Sequence, residues 1–347
     1  MRALIYRAPW HIEIADRPVP APTRPTECLV RVETCGICGT DIGIITGDYG
    51  ASRPPVVLGH EAAGEVVQTG AAVRTIRVGD RVAINPTFFC GSCRLCRTGR
   101  TNHCALKEGT EAGVSSDGAL AEYFRTHERF LHRLPPHVSY EEAALTEPLS
   151  CVLTGAGRLT LRPSAVALVL GLGPIGVLYA LVLALRGVRG IAIEPAAARR
   201  MRAEPLLRAE GWTVRENVHE VRRELNGVGI DVLVDAGGCF DNSFMPLLAP
   251  GAQVLLVALR THRQTIDLGS LADRSISLVG SIDTLGTFDD ALSLLASARI
   301  PAKDLISHLV PLPDLPGALQ LLGCDIRDRS YMPRAAALKV VAKPGVA

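Results

Sequence analysis

The chain has 347 residues, a hydrophobic fraction of 48% and a formal net charge of +2 at pH 7. This length suffices for two domains of ordinary size, and the balanced charge gives no reason to expect a nucleic-acid or membrane-surface partner. The N-terminal segment MRALIYRAPWHIEI lacks the apolar core and cleavage site of a signal peptide. Four of the ten cysteines are clustered at the spacing of a metal site, which is not expected of a disulfide-rich secreted protein, so we expect a protein of the reducing cytoplasm.

The first 84 residues contain short alternating segments that are separated by proline and glycine. The clearest strand is CLVRVET (28–34), and the segments EVVQTG (65–70) and DRVAI (80–84) follow it between glycine turns. Short strands with frequent glycine turns are typical of a small barrel-like β domain.

Two segments of this domain carry residues that bind metals. GICGTD (36–41) contains Cys38, and GHE (59–61) contains His60 and Glu61. A thiolate, an imidazole and a carboxylate that converge can hold a zinc ion with a position left open for chemistry. The alternative is a redox pair of Cys35 and Cys38, but such a motif should open a helix, whereas glycines and an aspartate follow here.

A second group of cysteines lies further along the chain, and its members are Cys90, Cys93, Cys96 and Cys104. Four thiolates at this spacing can close a tetrahedron around one zinc ion and leave no room for water. An iron–sulfur cluster is the alternative, but its cysteine run often ends in Cys-Pro, and Ala105 follows the last cysteine here. The spacing therefore predicts a structural zinc site.

The second half opens with an apolar segment (165–187) that contains Gly171-Leu172-Gly173-Pro174-Ile175-Gly176. A Gly-x-Gly-x-x-Gly sequence that follows a strand and opens a helix binds the pyrophosphate of a dinucleotide. The uncharged run 164–185 is long enough to span a membrane. The placement of its glycines favours two buried elements that are joined by a turn.

Glu194 ends the next predicted strand, in the segment GIAIEP. A carboxylate at this place binds the ribose hydroxyls of NAD and repels the 2′-phosphate of NADP, so the sequence favours NAD. Arg199 and Arg200 keep NADP open as the alternative. Pro205 should kink or end the helix that follows.

Three further strands are predicted at 230–238, 251–259 and 276–282, with a short helix over 242–250. Strands that alternate with helices in this way form a doubly wound parallel sheet, with the ligand at the carboxyl ends of the strands. The apolar tail RAAALKVVAKPG (334–345) predicts a last strand that returns to the first domain.

The segments GICGTD, GHE and CGSCRLCRTGRTNHC resemble the zinc-containing medium-chain dehydrogenase/reductase family, over nearly the whole chain. The resemblance implies a GroES-like β-barrel catalytic domain (1–150 and 290–347) and a Rossmann NAD-binding domain (151–289). It implies a catalytic zinc on Cys38 and His60, and a structural zinc on the four-cysteine group. A homodimer or homotetramer that acts on a small-molecule alcohol is also implied.

The third ligand of the catalytic zinc differs between branches of this family. Glu147, in the segment TEPLSC, matches the sorbitol- and threonine-dehydrogenase-like branch. Cys151 is a rival ligand, and by resemblance Glu61 can alternate with Glu147 or act through water. Thr40 resembles the hydroxyl that takes the alcohol proton, and Asp41 resembles the acid that orients the ligands.

The implied reaction is the reversible oxidation of a secondary hydroxyl of a polyol, cyclitol or aminocyclitol, with hydride transfer to NAD. Gly43 stands where many relatives have a histidine that passes the proton out. By resemblance, nicotinamide contacts fall near 236–239, 258–261 and 280–283.

The substrate pocket is expected from residues 43–52, 110–118 and part of 260–285. The segments EPAAARR and FDDALSLLA look most like dehydrogenases of aminocyclitol antibiotic pathways. Two alternatives remain open at this point. One is a threonine- or formaldehyde-dehydrogenase-like activity, and the other is a non-catalytic NAD-binding protein.

Overall fold

The computed structural model describes residues 1–50, 52–259, 265–332 and 337–345. The strands are β1 (Arg2–Ala8), β2 (His11–Asp16), β3 (Glu27–Gly36), β4 (Val56–Val57), β5 (Glu61–Thr69), β6 (Arg81–Ile84), β7 (Tyr123–His127), β8 (Leu131–Arg133), β9 (Val166–Leu170), β10 (Arg189–Ile193), β11 (Thr213–Arg215), β12 (Ile230–Asp235), β13 (Leu248–Leu256), β14 (Ser277–Gly280), β15 (Ile306–Pro311), β16 (Cys324–Asp325), β17 (Ser330–Tyr331) and β18 (Lys339–Lys343).

The α-helices are α1 (Gly39–Thr46), α2 (Arg94–Arg97), α3 (Tyr140–Ala143), α4 (Thr146–Ala156), α5 (Pro174–Leu185), α6 (Ala197–Ala209), α7 (Val218–Leu225), α8 (Leu268–Asp273), α9 (Phe288–Ala296), α10 (Ala302–Leu305) and α11 (Leu315–Ala318). Short 3₁₀ turns cover Thr101–His103, Glu128–Phe130, Met245–Leu247, Leu312–Asp314 and Leu319–Leu322.

The chain forms two compact units. Unit 1 comprises Met1–Ser150 with the described residues of 283–333 and 339–347. Unit 2 comprises Cys151–Ile282 with the described residues of 334–338. The chain therefore leaves unit 1 once and returns to it.

Unit 1 is built on a mostly antiparallel sheet around β3, which pairs with β5, β7 and β18, and only β15 and β18 pair in parallel in this sheet among the described residues. Its strand order is β15-β18-β3-β5-β6-β8, and a separate three-stranded sheet has the order β2-β1-β4. Gly64 is required where β5 meets β3, because a Cβ there would overlap the carbonyl of Arg31. Helix α9 packs Phe288, Leu292 and their neighbours against this sheet, at the spacing of an amphipathic helix.

Unit 2 is a six-stranded sheet with the order β11-β10-β9-β12-β13-β14, and every pairing is parallel. The central strand β9 reads VALVL and is almost completely buried. Continuous apolar strands of this kind are typical of parallel sheets that are covered on both faces. The predicted fold class, a Rossmann-type parallel sheet with a β-rich second domain, is confirmed.

The apolar run at 164–185 consists of β9 and α5, which are joined by the glycine turn. Helix α5 has 12 residues and is apolar on all sides because nearly all of it is buried. Among the described residues, no helix combines the length and apolar character needed to span a bilayer.

Three local predictions need correction or fall outside the description. Of the two outcomes predicted for Pro205, a kink or an end of the helix, the second is wrong, because α6 continues to Ala209 and Leu207 is buried. The short helix predicted over 242–250 is a single 3₁₀ turn, since Leu248 already pairs with Ile230 in β13. The segments predicted at 43–52, 258–261, 260–285 and 334–345 include residues 51, 260–264 and 334–336, which lie outside the described residues.

Candidate active site and cofactor site

Asp41 joins the two segments that carry Cys38 and His60. Strand β3 ends at Gly36, and Cys38 is the N-cap of α1. The carboxylate of Asp41 accepts hydrogen bonds from the backbone N–H of Cys38 (2.8 Å) and from that of Gly59 (3.2 Å). Because Asp41 is almost completely buried, these bonds fix the positions of both segments.

Cys38, His60 and Glu61 converge. The sulfur, a ring nitrogen and a carboxylate oxygen of these residues lie within 4.8 Å of one another. Nδ1 of the buried His60 lies 3.8 Å from Oδ1 of Asp41 and has no hydrogen-bond partner among the described residues. Burial opposes a charge on His60, but Asp41 and Cys38 raise the pKa of its imidazole well above the usual value.

Glu61 has a partner that the sequence analysis missed. Nζ of Lys339 donates hydrogen bonds to Oε2 of Glu61 and to the carbonyl of Ile37, and both charged side chains are at most 2% exposed. Burial opposes the charged form of Lys339, while Glu61 raises the pKa of this lysine above its ordinary value. The only available signal was a lysine inside the apolar strand LKVVA, in a chain with four lysines.

The remaining predicted residues of this site lie on α1 and α4. Thr40 is half-buried in the first turn of α1, and Gly43 is buried in the same helix. Glu147 is half-buried in the first turn of α4 and lies outside the group of three ligand atoms. Its charge contributes to the raised pKa values of His60 and Lys339. Cys151 follows four residues later on α4, so it shares a helix face with Glu147.

The side chains around Cys38 fit a zinc ion better than a redox-active disulfide between Cys35 and Cys38. A thiol, a buried imidazole and a carboxylate form a donor set that is typical of zinc. Cys35 is completely buried, and burial raises the pKa of its thiol well above the usual value. A redox cysteine needs an accessible thiolate, which Cys35 does not provide.

The four-cysteine group also converges. The sulfur atoms lie within 4.8 Å of one another, and those of Cys90 and Cys96 are 3.9 Å apart. Backbone N–H groups donate to three of the sulfurs, including a bond of 3.3 Å from Cys93 to Cys90. Hydrogen bonds from the Ser92 hydroxyl and from backbone N–H groups lower the pKa of Cys90 to about 5. Such bonds stabilise the Cys90 thiolate, the form that binds zinc, whereas burial raises the pKa of Cys96 to about 12.

The glycine fingerprint of unit 2 has the predicted geometry. Gly171 has a φ of 85°, which is the left-handed region, and a Cβ on Gly176 would overlap the carbonyl of Gly171. Gly173 is the N-cap of α5, and Pro174 and Ile175 form its first turn. The N-terminus of α5 therefore follows β9 with little side-chain bulk around it, as pyrophosphate binding requires.

Glu194 lies just after β10 and is 3% exposed. Its carboxylate accepts hydrogen bonds from the backbone N–H groups of Leu172 and Ala196, each at 2.9 Å. Arg199 donates to the same carboxylate at 3.3 Å. The predicted ribose-binding acid is thus tied directly to the glycine turn.

Asp235, at the end of β12, was not predicted as a site residue. Its carboxylate accepts hydrogen bonds from four consecutive backbone N–H groups, those of residues 237–240, at 2.8–3.2 Å. The same loop lies against the glycine turn, because a Cβ on Gly171 would come within 3.0 Å of the Gly237 Cα. The sequence Asp235-Ala236-Gly237-Gly238 at the end of a strand was the signal that could have identified it.

Comparisons with known proteins cover nearly the whole chain. Residues 24–136 match the family model of the alcohol dehydrogenase GroES-like domain. A sorbitol dehydrogenase of Bombyx mori is 33% identical over 322 residues, which cover 89% of this chain and 92% of the relative. A D-arabitol-phosphate dehydrogenase of Enterococcus avium is 33% identical over 332 residues, which cover 90% of this chain and 91% of the relative.

Solved structures agree with these matches. A dehydrogenase of Sinorhizobium meliloti 1021 that was determined with NADP bound is 27% identical to this chain, with a TM-score of 0.85 and 99% of both chains covered. The similarity therefore extends through both units.

Proposed function

The chain belongs to the zinc-containing medium-chain dehydrogenase/reductase family, and on that premise we propose that it oxidises a secondary hydroxyl of a polyol to a ketone, reversibly. The hydride goes from the carbinol carbon to a nicotinamide nucleotide, and the hydroxyl proton is released. The observation that carries the proposal is the convergence of Cys38, His60 and Glu61. A purely structural protein has no need of such a buried donor set.

Each residue of this site has a proposed role. Cys38 and His60 hold a zinc ion, and Glu147 or Glu61 completes the protein ligands. When bound, zinc supplies Lewis-acid chemistry that makes a hydroxyl group easier to deprotonate near neutral pH. Asp41 holds the segments that carry Cys38 and His60 together, because its carboxylate accepts a backbone hydrogen bond from each segment.

The proton of the substrate hydroxyl needs a route out of the site. Thr40 is half-buried two residues after Cys38, and we assign its hydroxyl to accept the substrate proton. Gly43 offers no side chain to continue the relay. The next acceptor is therefore water, the cofactor ribose or one of the two glutamates.

The cofactor is proposed to be NAD. The pyrophosphate would lie over Gly171, Gly173 and the N-terminus of α5, and Glu194 would face the ribose. The Glu194 carboxylate is held in place by two backbone N–H groups, so it cannot turn away from a 2′-phosphate. Arg199 pairs with this carboxylate, so the positive charge that NADP would need is already compensated.

The substrate class rests on the relatives. The two named above are called dehydrogenases of sorbitol and of D-arabitol phosphate. We propose a polyol or cyclitol, and an aminocyclitol as the narrower possibility. The half-buried Glu147 in its Glu-Pro-Leu segment supports a polyol over a simple alcohol.

The decisive test is NADH formation by the purified, zinc-loaded protein. Sorbitol, D-arabitol, myo-inositol, an aminocyclitol and threonine would each be assayed with NAD and with NADP. We expect one polyol or cyclitol to stand well above threonine, with NAD preferred. No turnover on any of them, with NAD still bound in a titration, would contradict the proposal.

We also propose a homodimer or homotetramer in the cytoplasm. Four of the ten cysteines are grouped for a metal, which suits a reducing compartment. Light scattering of the purified protein would give the number of chains per particle. A monomer at micromolar concentration would contradict the proposed homodimer or homotetramer.

A further inference from the structure

A group of charged side chains in unit 1 lies within electrostatic range of His60, and the reaction as described does not use it. Nζ of Lys107 donates a hydrogen bond to Oδ2 of Asp283 and lies 3.6 Å from Oε1 of Glu111. The three side chains are between 13% and 21% exposed. We call Lys107, Glu111 and Asp283 the charged rim.

The charged rim is close to His60 because its loop packs on the residue before the histidine. Ala119 donates a backbone hydrogen bond of 2.9 Å to the carbonyl of Gly59. A Cβ on Gly113 would overlap the same carbonyl. The positive charge of His60 also acts to lower the pKa values of Glu111 and of Tyr49. The rim is therefore within electrostatic range of the proposed zinc ligands.

Hydrogen bonds also hold the loop that carries Lys107 and Glu111. The hydroxyl oxygen of Ser115 accepts hydrogen bonds from the N–H groups of Gly109 (3.0 Å) and Glu111 (3.2 Å). Lys107 donates its own N–H to the carbonyl of Cys104, a member of the four-cysteine group. These bonds hold the backbone that carries Glu111 and Lys107, and they attach it to the four-cysteine group.

The rim carries one positive and two negative charges, and the ammonium group of Lys107 already faces both carboxylates. Burial raises the pKa of Glu111 above its ordinary value and Asp283 adds to this effect, although Lys107 and His60 act in the opposite direction. The balance at Glu111 thus disfavours negative charge. Another anion would have to separate Lys107 from its two partners or lie against two carboxylates.

We propose that the charged rim makes this site select polyols without a phosphate group and reject polyol phosphates. Hydroxyl groups can donate to the Glu111 and Asp283 carboxylates, whereas a phosphate dianion at the rim meets two carboxylates and one ammonium group that is already paired. The proposal rests on the proposed polyol oxidation and narrows its substrate class. The named relatives include a D-arabitol-phosphate dehydrogenase, so family membership alone does not decide this point.

The test compares each polyol with its own monophosphate. The zinc-loaded enzyme would be assayed with NAD on sorbitol, on D-arabitol and on their monophosphates. We expect kcat/KM for each phosphate to be about 100-fold lower than for its parent polyol, since two or more repelled charges act across a partly buried site. A phosphate that is used equally well or better would overturn the proposal and make Lys107 a phosphate anchor.

Two variants test the cause of the selectivity. Glu111→Gln and Asp283→Asn each remove one negative charge, and each should raise the phosphate-to-polyol ratio of kcat/KM about tenfold. Asn tolerates the φ of 58° at position 283 as well as Asp does. Glu108→Gln is the matched control, because Glu108 lies on the same loop, is 89% exposed and pairs only with an exposed arginine among its ion-pair contacts in the described residues. An unchanged ratio in both rim variants would overturn the assignment.

A binding measurement separates this inference from the proposed function. If neither a polyol nor its phosphate is oxidised, polyol oxidation is wrong. Calorimetric titration of the zinc-loaded protein with sorbitol and with sorbitol 6-phosphate then tests the rim alone. Tighter binding of the phosphate would overturn the selectivity, and weaker binding would support it.

Discussion

The two groups of metal-binding residues in unit 1 are built in different ways. The four-cysteine group lies between Cys90 and Cys104, and main-chain N–H groups donate to its sulfurs. The group of Cys38, His60 and Glu61 is drawn from two separate segments. Its neighbours are charged side chains, Asp41 and Lys339, which are both almost completely buried.

This difference indicates what each group can do. Backbone N–H groups that donate to three of the four sulfurs favour one geometry, which suits a closed structural site. Buried carboxylates and an ammonium group lose their hydration, and that cost is offset only when each charge has a partner. A ligand that binds beside several such charges changes their electrostatic environment. We therefore propose that the reaction takes place at this group.

The largest expected effect is on turnover in Cys38→Ala. Loss of the thiolate removes the ligand that α1 and Asp41 hold in place, and kcat should fall about 10³-fold or more. The four-cysteine group shares no ligand with this site and should keep its metal. The measurements are turnover, zinc content per chain and NAD affinity of the same preparation. Unchanged turnover would show that the two groups have been assigned the wrong roles.

The next effect is on stability and concerns Lys339. Lys339→Met leaves the Glu61 carboxylate buried without its partner, and breaking such a pair costs about 3–5 kcal/mol. Lys343→Met is the matched control on the same strand, because Lys343 pairs with Glu141 at a partly exposed site worth about 0–1 kcal/mol. Urea unfolding of the three proteins measures the difference.

A second substitution checks the cause of that loss. In Lys339→Met combined with Glu61→Leu no charge is left unpaired, and most of the stability should return. A double variant as unstable as the single one would point to lost packing by the lysine stem instead.

The contrast between the two groups also explains what the sequence could predict. The four cysteines and the glycine fingerprint lie within short segments, so their spacing alone indicates their geometry. Cys38 and His60 were found because each stands in a recognisable local segment. Most of the fold class was predictable for the same reason, since strand and helix periodicities are local.

Contacts between distant residues could not be predicted from spacing. Lys339 is 278 positions from Glu61, and Lys107 is 176 positions from Asp283. Such pairs depend on which strands become neighbours, and the spacing of residues in one sequence does not reveal that. Pro205 is a position where a local signal gave a wrong prediction, the end of the helix. Tertiary packing keeps α6 helical beyond this residue, although proline disfavours a helix.

The smallest expected effect on turnover is that of Cys104→Ser. Serine is a poor zinc ligand, so the four-cysteine group should lose its metal and the zinc content should fall from two ions per chain to one. Because the carbonyl of Cys104 accepts the N–H of Lys107, the charged rim should loosen, and kcat/KM should fall by no more than about tenfold. Circular dichroism would verify that the variant is folded before the assay. A fall as large as that of Cys38→Ala would mean that the four-cysteine group takes part in the reaction, because loss of support alone leaves Cys38 and His60 in place.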